Sequence, residues 1–257
     1  SASVGYTTAP ACDHDLLLSI IADADEAMFR SKQHGRDATT RFDVEMKRRT
    51  ERRIELERQL RHSLERGDLV VHYQPIVAGA SWVLTGFEAL TRWTTAGVSV
   101  PPDEFIAIAE ESGLIVPLGE FVLDEACRQL ARWRKEQPSV ARCTVAVNVS
   151  ARQLLSGDIV ETVRDALCRH DLPGDALWLE ITESVLMTDT STTQRIVERL
   201  QALGLSLAVD DFGTGYSSLA YLKRPRPSKI KIDRSFMRDL TSDEDDRVLV
   251  NAIVQLA

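Results

Sequence analysis

The chain has 257 residues and a formal net charge of −8 at pH 7, and 44% of its residues are hydrophobic. This length suits one large domain or a domain with part of another, and the hydrophobic content suits a packed globular core. The net negative charge argues against a DNA-binding protein, because a protein that grips the nucleic-acid backbone needs a basic face.

No apolar run is long enough to form a membrane segment, and no signal peptide is visible. The cysteines (Cys12, Cys127, Cys143 and Cys168) are scattered without zinc-site spacing. They predict reduced core thiols of a cytoplasmic protein. The chain begins with Ser1 in a strand-like stretch, so we expect it to be a piece of a longer protein, which could be membrane-anchored through upstream segments.

Residues 1–43 are predicted to contain a strand over Ser1–Thr8, a helix over Asp13–His34 and a second strand near Thr40–Phe42. Asp13 is the expected cap of the helix and Gly35 its stop. So short a segment cannot bury a core of its own. We therefore predict a short α+β remnant of another domain.

Residues 44–66 are predicted to form one highly charged helix, in which Leu56, Leu60 and Leu64 recur at spacings of four. The charges are explained most simply by a solvated face with helical ion pairs. The alternative is a linker helix that pairs with a neighbour through its leucine stripe.

Residues 67–257 alternate strand-like and helical segments, which predicts an α/β domain with a mostly parallel sheet, open or closed into a barrel. A closed eight-stranded barrel needs about 250 residues, and this stretch is shorter. The predicted strands are 69–74, 83–90, 143–149, 176–181, 206–210 and 229–232, and the predicted helices are 103–112, 119–136, 158–169 and 190–203.

Two adjacent aspartates, Asp210 and Asp211, follow the apolar run Leu205–Val209. Their repulsion is tolerated if a hard divalent cation lies between them. Neighbouring side chains of a regular strand point to opposite faces, so both serve one site only if the strand ends there. The glycines that follow are expected to supply that break. The alternative is a strand-end turn, in which aspartates bond local backbone.

Further polar residues lie where the other predicted strands finish, and active sites of α/β enzymes form at such carboxyl ends. The carboxylates and one amide supply oxygen ligands suited to Mg²⁺ or Mn²⁺. Two metal ions about 3.5–4 Å apart are a usual design for attack on a phosphodiester, and a lysine there would orient the water. These residues are Glu88, Asn148, Glu180, Glu183 and Lys231, beside Asp210 and Asp211. Each taken singly could instead be a cap or turn residue.

Two residues on the first predicted strands suit a phosphorylated substrate. Arg92 carries a planar guanidinium that matches phosphate oxygens, although a surface ion pair is an equal alternative. Gln74 precedes Pro75 at the end of its strand. Its amide suits a nucleobase or phosphate, or it stabilises the loop.

Six ordered motifs resemble the EAL domains, the cyclic di-GMP phosphodiesterases of bacterial signalling. Glu88-Ala89-Leu90 matches the signature, and the resemblance runs from about residue 52 to the end. The remaining motifs are Tyr73–Ile76, Asn148–Ser150, Glu180–Ser184, Asp210–Leu219 and Lys231–Phe236.

The resemblance implies a (β/α)₈ TIM-like barrel whose first strand is antiparallel, and a hydrolase that opens cyclic di-GMP to linear pGpG with two Mg²⁺ or Mn²⁺ ions. It implies that Glu88, Asn148, Glu180, Asp210 and Asp211 bind metal, with Asp210 bridging. Lys231 would position the water, Glu183 would hold the loop after Asp211 through Thr214, and Gln74, Leu90 and Arg92 would contact substrate.

This sequence departs from the EAL pattern after Ala257. EAL domains continue into two more strands, which bring another metal-binding glutamate and a substrate-binding glutamine, and neither is present in this chain. Residues 1–43 resemble the end of a GGDEF (diguanylate cyclase) domain, with Lys32 and Arg36 at positions that contact nucleotide phosphates. The GGDEF signature itself is missing, so this chain is expected not to make cyclic di-GMP.

The resemblance leaves two functional alternatives open. One is a regulatory module that binds cyclic di-GMP without cleaving it, and the other is a bifunctional cyclase and phosphodiesterase in the parent protein. A homodimer and upstream GGDEF or sensory domains are implied partners, although no stripe in the sequence establishes a dimer.

Overall fold

A computed structural model of the chain describes residues 2–8, 17–33, 39–42, 44–79, 81–156, 158–183, 185, 191–213, 228–238, 240 and 244–256. The chain divides into two compact units, Ser1–Leu60 and Arg61–Ala257. The domain limits expected after residues 43 and 66 stay predictions. Among the described residues, no helix has the length and apolar character needed to cross a membrane.

The smaller unit has the strand–helix–strand order that its sequence predicts. Strand β1 (Val4–Tyr6) and strand β2 (Thr39–Arg41) pair in parallel, with helix α1 (Leu17–Gln33) between them in the chain. Helix α1 passes so close to β1 that a Cβ on Gly5 would lie 2.1 Å from the Met28 amide nitrogen. The expected cap Asp13, the expected stop Gly35 and Arg36 lie outside the described residues.

The charged helix α2 spans Val44–Arg66 as one continuous element. The predicted helical ion pairs are confirmed, for example between Arg58 and Glu55 at 2.6 Å. Leu56 and Leu60 are buried, whereas the paired charges are exposed. The apolar stripe and the charged face are therefore separated as the spacing predicts, and each exposed pair contributes only a few tenths of a kcal/mol.

The larger unit alternates strands and helices. In chain order its elements are β3 (Val70–Val77), β4 (Leu84–Thr95), β5 (Val98–Val100), α3 (Pro102–Ser112), α4 (Ile115–Glu136), β6 (Thr144–Val149), α5 (Ala151–Leu155), α6 (Ile159–Arg169), β7 (Leu177–Thr182), α7 (Ser191–Ala202), β8 (Ser206–Phe212), β9 (Lys229–Ile232), α8 (Ser235–Arg238) and α9 (Glu244–Leu256).

The sheet of this unit has the order β3-β4-β6-β7-β8-β9, with β5 attached to β4. Strands β4, β6, β7, β8 and β9 are parallel, and β3 pairs with β4 in the antiparallel sense. The predicted α/β class and the antiparallel first strand are confirmed. Within the described residues, β3 and β9 end the sheet order, so the six main strands form an open part of a barrel.

Helices cover the parallel strands and complete the core. Strands β6 and β7 are almost wholly buried, which is typical of parallel strands covered on both faces. Helix α4 contributes residues at helical spacing to this core, which are Leu118, Val122, Ala126 and Leu130. The parallel arrangement places the carboxyl ends of five strands at one edge of the sheet.

Three short elements were not predicted from the sequence: β5, α5 and α8. Each has only three to five residues, which is too short for a periodic apolar pattern. Helix α5 begins with a capping box, in which Ser150 accepts from the Gln153 amide and the Gln153 side chain accepts from the Ser150 amide. This local bonding supports a helix that hydrophobic spacing does not reveal.

The cysteines in the described part of the chain are free thiols. Cys127 and Cys143 are buried, as predicted, but Cys168 is exposed. The expected core position of Cys168 is wrong because it lies on the solvent side of amphipathic helix α6. Cys12 lies outside the described residues.

Gly174 offers a test of packing in the larger unit. A Cβ at this position would lie 1.9 Å from the backbone oxygen of Leu203, which cannot move without shifting the chain. We expect Gly174→Ala to lower the free energy of unfolding by about 2 kcal/mol or more, a typical cost of overpacking. Thermal and urea unfolding measure this change. Gly79→Ala is the control, because nothing lies within 4 Å of its Cβ, and equal stability of the two variants would contradict the packing described.

Candidate active site

Five predicted site residues project from five neighbouring strands toward the same end of the sheet. Glu88 lies on β4, Asn148 on β6, Glu180 on β7, Asp210 on β8 and Lys231 on β9. Asn148, Glu180, Asp210 and Lys231 lie in the second half of their strands, and Glu88 lies near the end of the part of β4 that pairs with β6. Parallel strands deliver such side chains to one edge of the sheet. Residues far apart in the sequence are thereby brought into contact.

Lys231 is the centre of this group. Its Nζ donates to Asp210 Oδ2 at 3.2 Å and forms an ion pair with Glu88 Oε1 at 3.3 Å. It also donates to Glu180 Oε2. Three carboxylates thus surround one ammonium, and when all three are ionised their charge exceeds that of the lysine by two. The arrangement retains a strong attraction for a further cation.

Asn148 is tied to the same group through Glu88. Its Nδ2 donates a 3.0 Å hydrogen bond to Glu88 Oε1. This bond joins β6 to β4 at the edge of the site.

Glu180 is the most buried of the three carboxylates that contact Lys231, with 4% of its surface exposed. Burial raises the pKa of Glu180 to about 7, and the hydrogen bond from Lys231 offsets only part of this rise. Desolvation acts to lower the pKa of Lys231, but the bond to Glu180 and the nearby Asp210 and Glu88 raise it above its ordinary range. Lys231 therefore stays protonated at neutral pH, whereas Glu180 is only partly ionised there unless another cation binds beside it.

The pKa of Glu180 predicts a pH dependence of stability. Because its folded pKa is raised from 4.5 to about 7, the native state holds the proton more tightly than the unfolded state between these values. We expect the free energy of unfolding in EDTA to fall as pH rises from about 4.5 to about 7, by up to about 1.4 kcal/mol per pH unit. Urea unfolding of wild type and Glu180→Gln across this range measures the difference. Identical slopes would rule out a titrating Glu180.

Asp210 and Asp211 lie within β8, and the strand does not end at Asp210 as expected. It continues to Phe212, with an irregular register between Val209 and Phe212. Asp211 has a φ of +54°, in the left-handed region, and its amide donates to Asp210 Oδ1 at 3.0 Å. The backbone enters the left-handed region at Asp211 and again at Gly213, which has a φ of +100° directly after the last residue of the strand. The expected glycine at the strand end is therefore confirmed at Gly213, and Asp211 adds an earlier break.

Asp233 contacts this part of the site, although the sequence analysis gave it no role. Desolvation, then the charges of Asp210 and Asp233, raise the pKa of Asp211, and the carboxyl groups of Asp211 and Asp233 share a hydrogen bond. Asp233 follows Lys231 by two residues in the motif Lys231–Phe236. The position of Asp233 two residues after Lys231, at the end of β9, could have identified it as a site residue from the sequence.

Glu183 connects the end of β7 to the residue that follows β8. It is 5% exposed, and its Oε2 accepts a 3.1 Å hydrogen bond from the Gly213 amide. Its other oxygen, Oε1, is buried without a partner among the described residues. The predicted partner Thr214 lies outside those residues. Glu183 is therefore separate from the Lys231 group and contacts the backbone just after Asp211.

The predicted substrate residues Gln74, Leu90 and Arg92 lie on the β3–β4 hairpin. Gln74 pairs with Glu88 in the register, and the alternation of strand side chains places Glu88, Leu90 and Arg92 on one face. Arg92 donates to its neighbour's carbonyl, Thr91 O, at 2.9 Å. Within the described residues it forms no ion pair, so the alternative of a surface ion pair gains no support.

His72 shares this face and was missed by the sequence analysis. It is exposed and pairs with Leu90, between the pairs Gln74–Glu88 and Val70–Arg92. Its neighbours Val71 and Tyr73 point the other way, where Tyr73 donates to Glu125 O on α4 at 3.3 Å. The alternation of β3 was the signal that could have identified His72.

The donor set fits a hard divalent cation in its chemistry. Glu88, Asn148, Glu180, Asp210 and Asp211 offer only oxygen ligands, which Mg²⁺ and Mn²⁺ prefer. Among the described residues, no three Asp, Glu, His or Cys side chains are already spaced to hold a metal ion. Instead the Lys231 ammonium lies where three of the carboxylates converge, so metal binding requires a rearrangement of these side chains.

Comparison with known proteins gives one consistent family. The model of the family described as EAL domain matches residues 57–257. The bifunctional diguanylate cyclase/cyclic di-GMP phosphodiesterase MucR of Pseudomonas aeruginosa is 43% identical over 257 residues, which is 100% of this chain and 37% of that protein. The cyclic di-GMP phosphodiesterase PdeR of Escherichia coli is 38% identical over 258 residues, covering 100% of this chain and 38% of its own length.

A solved structure agrees with these sequence matches. The PaMucR phosphodiesterase in complex with c-di-GMP superposes with a TM-score of 0.74 at 47% identity, covering 79% of this chain and 81% of that one. The chain thus spans little more than a third of the length of these curated relatives.

Proposed function

This chain belongs to the EAL domain family, and from that premise we propose that the protein containing it hydrolyses cyclic di-GMP to linear pGpG in bacterial second-messenger signalling. The observation that carries the proposal is the contact of Lys231 with Glu88, Glu180 and Asp210 at one end of the sheet. The carboxylates of this cluster suit divalent cations, which would stabilise charge at a phosphodiester, and the ammonium suits a water held beside them. The match to relatives named as phosphodiesterases supports the same reaction.

The proposed metal ligands are Glu88, Asn148, Glu180, Asp210 and Asp211, with two Mg²⁺ or Mn²⁺ ions as the proposed cofactors. When bound, the ions supply Lewis acidity toward water and the phosphodiester oxygens. The excess negative charge around Lys231 supports this assignment. The raised pKa of Glu180 is consistent with it, because a second cation would restore the ionised form.

The chain's own residues have distinct proposed roles. Lys231 holds and orients the attacking water, because its ammonium already lies within hydrogen-bond distance of Asp210. Asp210 accepts from Lys231 and from the Asp211 amide, which fixes its carboxylate. Glu183 positions the backbone at Gly213 and so sets the conformation of the segment after Asp211.

The proposed substrate contacts are Gln74, Leu90 and Arg92. Their place on the hairpin next to Glu88 supports this assignment. A guanidinium free of carboxylate partners in the described structure is suited to bind phosphate oxygens. The hairpin would then hold the substrate, while the strands from β6 to β9 carry the reacting groups.

The parent protein is proposed to have a tandem GGDEF–EAL organisation. In support, the alignment with MucR includes residues 1–43, and the name of that protein includes diguanylate cyclase. The proposed domains are residues 1–43, the linker helix 44–66 and the EAL domain 67–257. A cytoplasmic location is proposed on the free thiols, and a homodimer on the family resemblance alone.

Product analysis tests the proposed reaction. The full-length protein is incubated with cyclic di-GMP and Mg²⁺ or Mn²⁺, and the nucleotides are separated by chromatography. We expect pGpG as the first product and its loss on addition of EDTA. If the protein binds cyclic di-GMP but forms no product with either Mg²⁺ or Mn²⁺, the result would support the non-catalytic regulatory module and would overturn the proposal.

A further inference from the structure

A second lysine lies close to the Lys231 group but outside it. Lys229 precedes Lys231 by two residues on β9, so both side chains are on the same face of the sheet. Its ammonium lies 3.4 Å from the ring centroid of Trp178. Trp178 in turn precedes Glu180 by two residues on β7 and shares its face. The pair Lys229–Trp178 therefore lies one step below the pair Lys231–Glu180.

The register leaves Lys229 within reach of Glu180. Ala208 on β8 pairs with Glu180 on one side and with Lys229 on the other. Its methyl group is the only side chain between them in this row, so little obstructs a path across β8. The Lys231 side chain already extends from β9 across β8 and donates to Glu180. The geometry thus allows Lys229 to do the same.

The indole competes with the carboxylate for this ammonium. Lys229 is exposed as a residue, but desolvation of its ammonium lowers its pKa, while the charge of Glu180 acts in the opposite direction. A cation over an indole face is a favourable alternative to a carboxylate, and tryptophan is the best of the aromatic rings for it. The Lys229 ammonium is attracted to Glu180, but it contacts the Trp178 ring instead.

A second ammonium on Glu180 would disturb the site. It would cancel negative charge around Lys231 and occupy an oxygen of a proposed metal ligand. Both effects oppose binding of a divalent cation. We propose that Trp178 is a positioning residue that holds the Lys229 ammonium below the site and away from Glu180. This inference rests on the proposed metal-dependent function.

Direct metal binding tests the proposal without relying on turnover. Isothermal titration calorimetry with Mn²⁺ is performed on the full-length protein as wild type, Trp178→Leu, Lys229→Met and the double variant. We expect Trp178→Leu to weaken Mn²⁺ binding about tenfold, because a freed ammonium competes for Glu180. Lys229→Met alone should change the Kd by less than about twofold, and in the double variant it should restore binding.

A conservative substitution keeps the test available if the leucine variant does not fold. Trp178→Phe retains an aromatic ring, but its face attracts a cation less strongly than the indole face does. It loses little else, because the Trp178 Nε1 is buried without a hydrogen-bond partner in the described structure. We expect a loss of about threefold in Mn²⁺ affinity, removed by adding Lys229→Met.

The outcomes separate this inference from the proposed function. If the wild type binds no Mn²⁺, the proposed function is overturned and the inference with it. If the wild type binds and both Trp178 variants bind equally well, only the inference is overturned. A weakened Trp178 variant that Lys229→Met does not restore would assign Trp178 a purely structural role and would also overturn it.

Discussion

Full-length protein carrying Lys231→Met is expected to lose about 1,000-fold in kcat for cyclic di-GMP hydrolysis, the scale of a positioned proton-transfer or charge-stabilising group. It should still bind Mn²⁺, since methionine removes the ammonium that lies among Glu88, Glu180 and Asp210 and leaves those oxygens in place. Without metal, the unneutralised carboxylates should lower the melting temperature. Steady-state kinetics, calorimetry with Mn²⁺ and thermal melts with and without the ion measure the three effects.

The matched control is Lys229→Met, which removes the same charge two residues earlier on the same strand. It should leave kcat within about twofold, because the Lys229 ammonium contacts Trp178 and none of the three carboxylates. A Lys231→Met protein that retains a tenth or more of the wild-type kcat would show that this ammonium does not serve the reaction. Loss of Mn²⁺ binding along with activity would instead make Lys231 an organiser of the ligands.

Replacing Glu88 by glutamine should lower kcat by at least about 100-fold, a typical loss for one electrostatic contributor in an active site. Mn²⁺ binding should weaken by more than about tenfold, since even an outer partner of a metal ligand has an effect of that size. Glutamine has the same shape, and its oxygen can still accept the 3.0 Å bond from Asn148 Nδ2. Because the packing is unchanged, the expected losses in kcat and in Mn²⁺ affinity measure the effect of the missing charge.

Glu198→Gln on the exposed face of α7 is the control for this charge change. It should leave kcat, the Kd for Mn²⁺ and the melting temperature unchanged. Kinetics in saturating Mn²⁺ distinguish a loss of affinity from a loss of chemistry. If Glu88→Gln regains the wild-type kcat at high Mn²⁺, Glu88 contributes only to the affinity for the metal and has no direct role in turnover.

The periodic features of the sequence predicted most of the fold. Apolar runs predicted the six main strands, although β4 extends five residues beyond its predicted end. The interior strands β6 and β7 were the clearest, because parallel strands buried on both faces have continuous apolar patterns. Family resemblance added the antiparallel sense of β3, which the pairing of Gln74 with Glu88 confirms. The short elements β5, α5 and α8 were missed because their formation depends on local bonds and on pairing with longer elements.

The candidate site was predictable in its membership but not in its contacts. The motif spacings indicated that Glu88, Glu180, Asp210 and Lys231 would meet, since strand ends converge at one edge. The burial that raises the pKa of Glu180 depends on the surrounding packing, which the sequence does not display. The same holds for the contact between Lys229 and Trp178, which joins two non-adjacent strands.

The left-handed backbone of Asp211 has a consequence for the evolution of stability. A non-glycine residue with positive φ costs of the order of 1 kcal/mol, and glycine would relax this position. Glycine would also remove a proposed metal ligand. Selection for a more heat-resistant fold and selection for turnover therefore favour different residues here. A variant with glycine at Asp211 is therefore expected to melt at a higher temperature and to bind Mn²⁺ less tightly at the proposed site.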